Sequence, residues 1–484
     1  MLKNPELVLD TSFPPSLEHV ARGYNAAGVL QTYETFDVTG DSPEMQEASR
    51  FRDEQKSMFM SGEVRNPILN NCPNFNLERH KRRVLYQGTR ALMYVQELRR
   101  TDGGIETDES QLVDAMIANR INELGFIEAA ASIADGQLAE DERIAMGSVL
   151  KKSARDIYGM PDRDRALTVI GDRLESATAI AADEVHPARE IAQQLLNRFS
   201  VGGYNKITAK MDAKSLEAYQ SYMHNICKPA INYAFQELGE KDTYTPDEMV
   251  AIFDRYLDFQ GYAAEGWRTE KVSNRTMCAT KLEDLVVEIG DKRAAASRSY
   301  VPVVTSLIHE VEIHVGRQVK GKKIGQGIAE FGFAGYVAFE EPFAATTADV
   351  YSGQPKSAGE PFTIGLALAA GYDRHEERDF RDCFEDIWRL QIVKSYKADK
   401  PFEAQMNAAR NAAYANLTRI WRGMPTDIPG CVFPKDRVYD NTDVIRYLNN
   451  GGAPLLEPDF MRLLQAKYDA FDPVQDAYIR SQTN

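Results

Sequence analysis

The sequence predicts an α+β protein that is mostly helical, with one small antiparallel sheet set just before a central helix. Apolar residues recur at helical spacing over most of the 484-residue chain. Two short β-branched runs, Thr276 to Thr280 and Leu285 to Ile289, break that pattern and are separated by Lys-Leu-Glu-Asp. They read as a hairpin or as two neighbouring strands. No internal repeat or long low-complexity segment interrupts the chain.

Residues 1–75 are rich in Pro, Asn, Asp and Gly and poorly periodic, which predicts an extended arm with one short helix near Ser42 to Met60. From Leu77 to about Arg198 the pattern is helical: Val84, Leu85, Ala91, Leu92, Val95 and Leu98 share a face, and Leu112 to Leu138 behaves likewise. Pro161–Asp164 and His186-Pro187 mark helix boundaries. A turn at Gly202-Gly203 precedes a second helical run from Lys214 to about Gly261. After the two strands, Val304, Leu307, Ile308, Val311 and Val315 form one apolar stripe, so Val303 to Gln318 is a core helix. Gly321 to Gly327 is a basic, Gly-rich loop. Helices follow at about Gly335–Tyr351, Glu376–Ser395, Pro401–Trp421, Thr442–Asn449 and from Pro458 to near the C-terminus. The expected organisation is an N-terminal arm (1–75), a helical region (76–262) and a domain carrying the chemistry (263–484).

Net charge is −15 with a pI near 5.1, so a nucleic-acid backbone is not expected as a partner. The N-terminus develops no continuous apolar core, and a signal peptide is not expected. The most apolar stretch, Phe362 to Tyr372, is about half the length that spans a bilayer, so no membrane partner is expected either. Five scattered cysteines, Cys72, Cys227, Cys278, Cys383 and Cys431, form no Cys-x-x-Cys pair. They read as buried small hydrophobes in a reducing, cytoplasmic setting.

The chemistry lies in Ser306-Leu-Ile-His309-Glu310-Val-Glu-Ile-His314, a His-Glu-x-x-x-His pattern. A zinc peptidase needs two imidazoles converging on one Zn²⁺, with a carboxylate beside the first to take a proton from water. Histidines four apart lie ~40° apart around an α-helix, but five apart they are separated by ~140°. The pattern therefore chelates only if the helix carries an extra residue, a π-bulge between Val311 and Ile313. The bland alternative is a histidine-bearing helix face with surface ion pairs. A third ligand is needed, and Phe339-Glu340-Glu341-Pro342-Phe343-Ala344 offers paired carboxylates at a helix start, with Pro342 suited to its first turn. A glutamate from a second helix would complete a His₂Glu site of thermolysin type. Equally, two glutamates simply favour a helix N-terminus.

Taken together, these elements resemble a known family of metallopeptidases. It comprises the microtubule-associated tyrosine carboxypeptidases and the bacterial flavohaemoglobin expression-modulating proteins with a Gln-Glu-Gly-Leu-Ala motif. Gly332-Phe-Ala-Gly-Tyr-Val-Ala-Phe-Glu-Glu341-Pro-Phe-Ala is similar to that family's Gly-Leu-Ala-Gly-Tyr-x-x-x-Gln-Glu-Gly-Leu-Ala. Arg419-Ile-Trp-Arg422-Gly423, Pro429-Gly430 and Phe433-Pro-Lys435-Asp436-Arg-Val-Tyr439 are similar to its Arg-Val-x-Arg-Gly … Pro-Gly-x-Phe-x-Lys-Asp-x-Val-Tyr. The resemblance covers about Asn274 to Leu448. It implies a thermolysin-like, gluzincin-type core, with His309, His314 and Glu341 as metal ligands and Glu340 as the neighbour of the third. The chain departs from the family at Glu312-Ile313, where Gly-Thr is usual, and at Pro342-Phe343. Pro342-Phe343 and Glu312 are expected beside the site, where they bear on substrate preference.

The resemblance further implies hydrolysis of a C-terminal residue, the substrate being a peptide or protein C-terminus. Glu310 would be the general base. Tyr439 or Tyr336 would supply the second oxyanion donor. Arg422, then Lys435, are candidates for the terminal carboxylate, unless they are structural ion pairs with Asp436 or Asp440. Glu340 is also placed on the substrate side. The strand Leu285–Ile289 would pair with an extended peptide. An endo- or aminopeptidase on the same site, and a non-catalytic protein that binds peptide termini, are the alternatives. His375-Glu376-Glu377 reads as a solvated helix start and Lys320–Gly327 as a mobile loop near the cleft, matching neither phosphate-binding fingerprint.

Overall fold

The computed structural model of the chain describes residues 43–69, 108–134, 136–199, 210–239, 241–273, 277–282, 284–291, 297–324, 329–330, 332–353, 359–374 and 376–483. The arm before residue 43, the expected helical run around Val84 to Leu98, Gly202-Gly203, His375 and Cys72 lie outside the described residues.

The first helices are α1 (Pro43–Ser61), α2 (Asp108–Ala134), α3 (Glu140–Tyr158), α4 (Arg163–Ala182) and α5 (Arg189–Arg198), with breaks where Pro and Asp punctuate the sequence. Asp162 ends the α3–α4 break by accepting a bond from the Arg165 N–H at 2.7 Å, which satisfies an otherwise unpaired donor of the first turn. The single run expected from Lys214 to Gly261 is instead two helices, α6 (Ala213–Phe235) and α7 (Pro246–Phe259). Gly239 takes a left-handed φ of 66° after the first, and Thr245 and Glu248 close a reciprocal capping box that starts the second at Pro246.

The small sheet has strands β1 (Arg268–Val272), β2 (Ala279–Lys281) and β3 (Val286–Gly290) in the spatial order β1-β3-β2. It is mixed, not antiparallel: β1 runs parallel to β3, and β2 antiparallel. Strand β1, Arg-Thr-Glu-Lys-Val, is three-fifths charged and carries little β signal of its own. The buried centre is β3, hydrogen-bonded on both sides, so it has no free edge for an extended peptide.

A continuous central helix, α8, then runs through three successive pieces, Tyr300–Ser306, Leu307–Val315 and Gly316–Gly321. Helix α9 (Val337–Tyr351) packs against its middle. Next come α10 (Glu360–Ala369), α11 (Phe380–Ser395), α12 (Phe402–Ile420), a 3₁₀ turn at Pro434–Tyr439, and the helices α13 (Thr442–Asn449), α14 (Glu457–Leu463) and α15 (Pro473–Thr483). Helix α10 was not expected; it forms from the apolar stretch after Pro361. Helix α11 starts later than Glu376, because Asp379 is its N-cap and Glu377 instead pairs with Lys151 and Arg155 at 2.8 and 2.9 Å. Glu376-Glu377 therefore precede the helix and do not start it, though Glu376 is exposed. The C-terminal run splits around an irregular turn that includes Lys467.

Two apolar clusters hold the protein together. One gathers α6, α7, the sheet, α8, α9 and α13–α15, while the other joins α2–α5 to α10–α12. Each draws on residues before and after position 262. The 3₁₀ turn Pro434–Tyr439 packs on α9 of the first and on α3, α10 and α12 of the second. Cys227, Cys278, Cys383 and Cys431 are free and buried. Among the described residues no helix is long and apolar enough to cross a membrane.

Candidate metal centre

The middle piece of α8, Leu307–Val315, is π-helical over 9 residues. Hydrogen bonds from i to i+5 bring residues five apart onto the same face. The His309 and His314 rings accordingly meet with centroids 4.9 Å apart and planes at 77°. The underwinding spans the whole motif, not only the expected bulge between Val311 and Ile313. Val304, Leu307, Ile308, Val311 and Val315 keep their stripe buried at 3% exposure or less. The helix therefore changes its winding without giving up its apolar seat.

Helix α9 supplies the third group. Its carboxylate Glu341 Oε2 lies 3.8 Å from His309 Nε2 and 4.0 Å from His314 Nε2. One ligating atom from each of the three residues falls within a 4.8 Å cluster, so the group could hold a metal ion. Donors ~2.05 Å from a tetrahedral metal sit ~3.3 Å apart, so the groups would draw together by roughly 0.5 to 1.5 Å around an ion. Burial pushes the His309 imidazole down, toward the neutral form that ligates. For Glu341, burial alone would raise the pKa, but His314, His309 and Lys435 outweigh it and hold the group ionised.

Glu340 does not face a substrate, contrary to its expected place. It is 2% exposed and lies behind His314. Its Oε1 stands 2.8 Å from His314 Nδ1, and its Oε2 accepts from Arg317 Nη1 at 2.8 Å. Lys467 Nζ donates to Oε1 as well. Burial would raise the Glu340 pKa, yet Lys467, Arg317 and His314 together hold it well below the usual carboxylate range. His314 feels the opposite pull. Its burial lowers the pKa, and the bond to Glu340 with the nearby Glu341 charge outweighs that and raises it. With Nδ1 directed at Glu340, His314 presents Nε2 to the metal position.

Glu310 sits beside His309, its Oε2 accepting from the Thr280 hydroxyl at 2.8 Å. Thr280 belongs to β2, which bonds only to β3 and is an edge of the sheet. The strand bordering the site is thus β2, not the Leu285–Ile289 run.

The 3₁₀ turn packs on α9 beside Glu341. Lys435 and Tyr439 are half-buried there, with Lys435 Nζ 6.0 Å from the Tyr439 ring centre. Burial lowers the Lys435 pKa against the pull of Glu341 and Asp436, and Arg422 lowers it further. Burial raises the Tyr439 pKa, helped by Glu341 and Asp436, so its hydroxyl keeps its proton. Asp436 pairs with Arg419 at 2.6 Å, while Asp440 accepts from Thr363 at 2.9 Å. Neither acid forms an ion pair with Arg422 among the described residues. Tyr336 stands just before α9, half-buried, with its ring 5.3 Å from Nζ of Lys467, the partner of Glu340.

Of the positions expected beside the site, Glu312 and Phe343 make their contacts elsewhere, and Pro342 is buried in α9. Glu312 is fully buried on the far side of α8, accepting from Tyr256, Gln260 and Lys320 at 3.1, 2.7 and 3.0 Å. Phe343 is buried and stacks on Phe339 at 5.1 Å. Pro342 is inside α9, which begins at Val337, and not in its first turn. Phe343 and Pro342 serve packing, and Glu312 anchors a buried polar network. Sequence reasoning missed Arg317, Lys467 and Thr280. Arg317 follows His314 by three positions within an apolar run, which is a readable signal, whereas Lys467 is 127 positions from Glu340 and had none.

The chain matches no protein-family model, no curated protein and no solved structure.

Proposed function

We propose that the chain is a zinc-dependent metallopeptidase with a thermolysin-like centre, a relative of the family it resembles in sequence, removing the C-terminal residue of a peptide or protein in the cytoplasm. The observation that carries this reading is the convergence of His309, His314 and Glu341 across a π-helical turn, with Glu310 beside them. Two imidazoles and one carboxylate are a donor set suited to zinc in an open site. Bound zinc would supply a Lewis acid that polarises the scissile carbonyl and makes water nucleophilic near neutral pH.

The remaining work falls to the chain's own groups. Glu310 Oε2, anchored by Thr280, takes the proton from the attacking water and passes it to the departing amine. Tyr439, protonated beside Glu341, donates to the developing oxyanion. Lys435 and Arg422 place positive charge on the Glu341 side, where a terminal carboxylate would dock. That charge favours a carboxypeptidase over an endo- or aminopeptidase. The β2 edge offers backbone groups to an extended substrate.

A library of peptides varied at the C-terminus, each with free and amidated ends, tests the reading by mass spectrometry. Loss of one terminal residue from free-acid peptides alone is the expected result, and it must vanish in Glu310→Gln. Binding of termini without cleavage by the zinc-loaded protein would favour a non-catalytic binding protein instead.

A further inference from the structure

Lys467 is fully buried, yet it comes from an irregular turn between α14 and α15, far from the zinc-ligand motif in sequence. A buried ammonium is retained only against a counter-ion, and its counter-ion here is Glu340. Arg317, also fully buried, grips the other oxygen of the same carboxylate and bonds the Tyr468 carbonyl at 2.9 Å. The turn is pinned to the approach to α9 at several points. Phe333 N–H donates to the Lys467 carbonyl at 3.0 Å, and Gln475 Nε2 donates to the Ala334 carbonyl at 2.9 Å. Phe471 packs edge-on to Phe339 at 5.3 Å.

Both oxygens of Glu340 are thereby fixed. Its Oε1 faces His314 Nδ1 and cannot rotate away without breaking the bond to Arg317. The carboxylate needs this bracing, because a free Glu side chain has enough rotamers to swing off the imidazole. We propose that the C-terminal turn is a component of the metal centre, with Lys467 and Arg317 acting as positioning residues. They brace Glu340, which holds His314 with Nε2 toward the metal. The inference rests on the reading that His309, His314 and Glu341 hold the metal. It assigns the C-terminal segment a role that a packing element would not have.

Zinc affinity, measured by competition with a chromophoric chelator, tests it on full-length protein. Lys467→Met removes the charge at similar length, and Lys467→Met with Glu340→Gln removes both charges, so no buried carboxylate loses its ammonium partner. Circular dichroism establishes that each is folded. Both are expected to bind zinc about 10- to 100-fold more weakly than wild type, the usual effect of losing a group that orients a ligand. The cobalt(II) visible spectrum of each should shift as the His314 ligand loosens. Wild-type affinity and an unchanged spectrum in either folded variant would overturn the inference. If the wild-type chain itself binds no zinc, the ligand assignment fails and this inference falls with it. Tight wild-type binding lost in His309→Ala but kept in Lys467→Met sinks the inference alone.

Discussion

His309 and His314 are five positions apart on one helix, yet their rings meet at 4.9 Å. A regular α-helix would separate them by ~140° around its axis. The π-helical winding of Leu307–Val315 is what turns a sequence spacing unfit for chelation into a workable one.

That relationship is directly testable by exchanging the two residues. Ile313→His combined with His314→Ile restores the four-residue spacing common in zinc peptidases but suits an α-helix, not this one. Zinc affinity should fall at least ~10-fold, because the relocated imidazole points toward the core and loses Glu340. Isothermal titration would show it, and undiminished binding would mean that the helix rewinds at little cost.

Tyr439→Phe should leave zinc stoichiometry intact while lowering kcat by about 10²- to 10³-fold, the usual effect of deleting one oxyanion donor. Tyr336→Phe, whose ring lies against Lys467, should change kcat by less than about 3-fold. Steady-state kinetics on a cleaved peptide separates the two tyrosines. Equal losses would mean that Tyr439 does not act at the oxyanion.

Lys435→Met and Arg422→Met should raise KM for free-acid peptides more than they lower kcat, because they remove ground-state binding of the terminal carboxylate. Amidated peptides, already poor substrates, should be nearly indifferent to both changes. Loss confined to kcat would place these cations elsewhere in the reaction.

Glu312→Ala removes a fully buried carboxylate that faces Lys320, Tyr256 and Gln260. Unfolding by urea should show a loss of about 3 kcal/mol, the size typical of breaking a buried ion pair from one side. A change below ~0.5 kcal/mol would mean that the pocket rehydrates or repacks freely.

Much of this site was legible in the sequence, and the limits have physical reasons. His309, Glu310, His314 and Glu341 were readable because metal chemistry restricts residue type and spacing, and even the underwound helix followed from the five-residue separation. The apolar stripe from Val304 to Val315 was equally plain. Strand β1 was not, since Arg268–Val272 is largely charged and owes its conformation to pairing with β3. Glu340 was misplaced because adjacent carboxylates look alike in sequence, and only the packing of α9 sends Glu341 toward His309 and Glu340 to Lys467. The breaks at Gly239 and after Leu463 are marked in the sequence by Gly239, Thr245-Pro246 and Asp472-Pro473, signals that the apolar runs on either side overshadow. Helical period alone could not reveal those turns.

The most direct test of the central claim is elemental analysis of the purified chain beside His309→Ala, His314→Ala and Glu341→Ala. One zinc per wild-type chain is expected, and a small fraction of that in each variant, with secondary structure preserved. A metal-free wild-type protein that takes up no added zinc, or variants that retain a full equivalent, would contradict it.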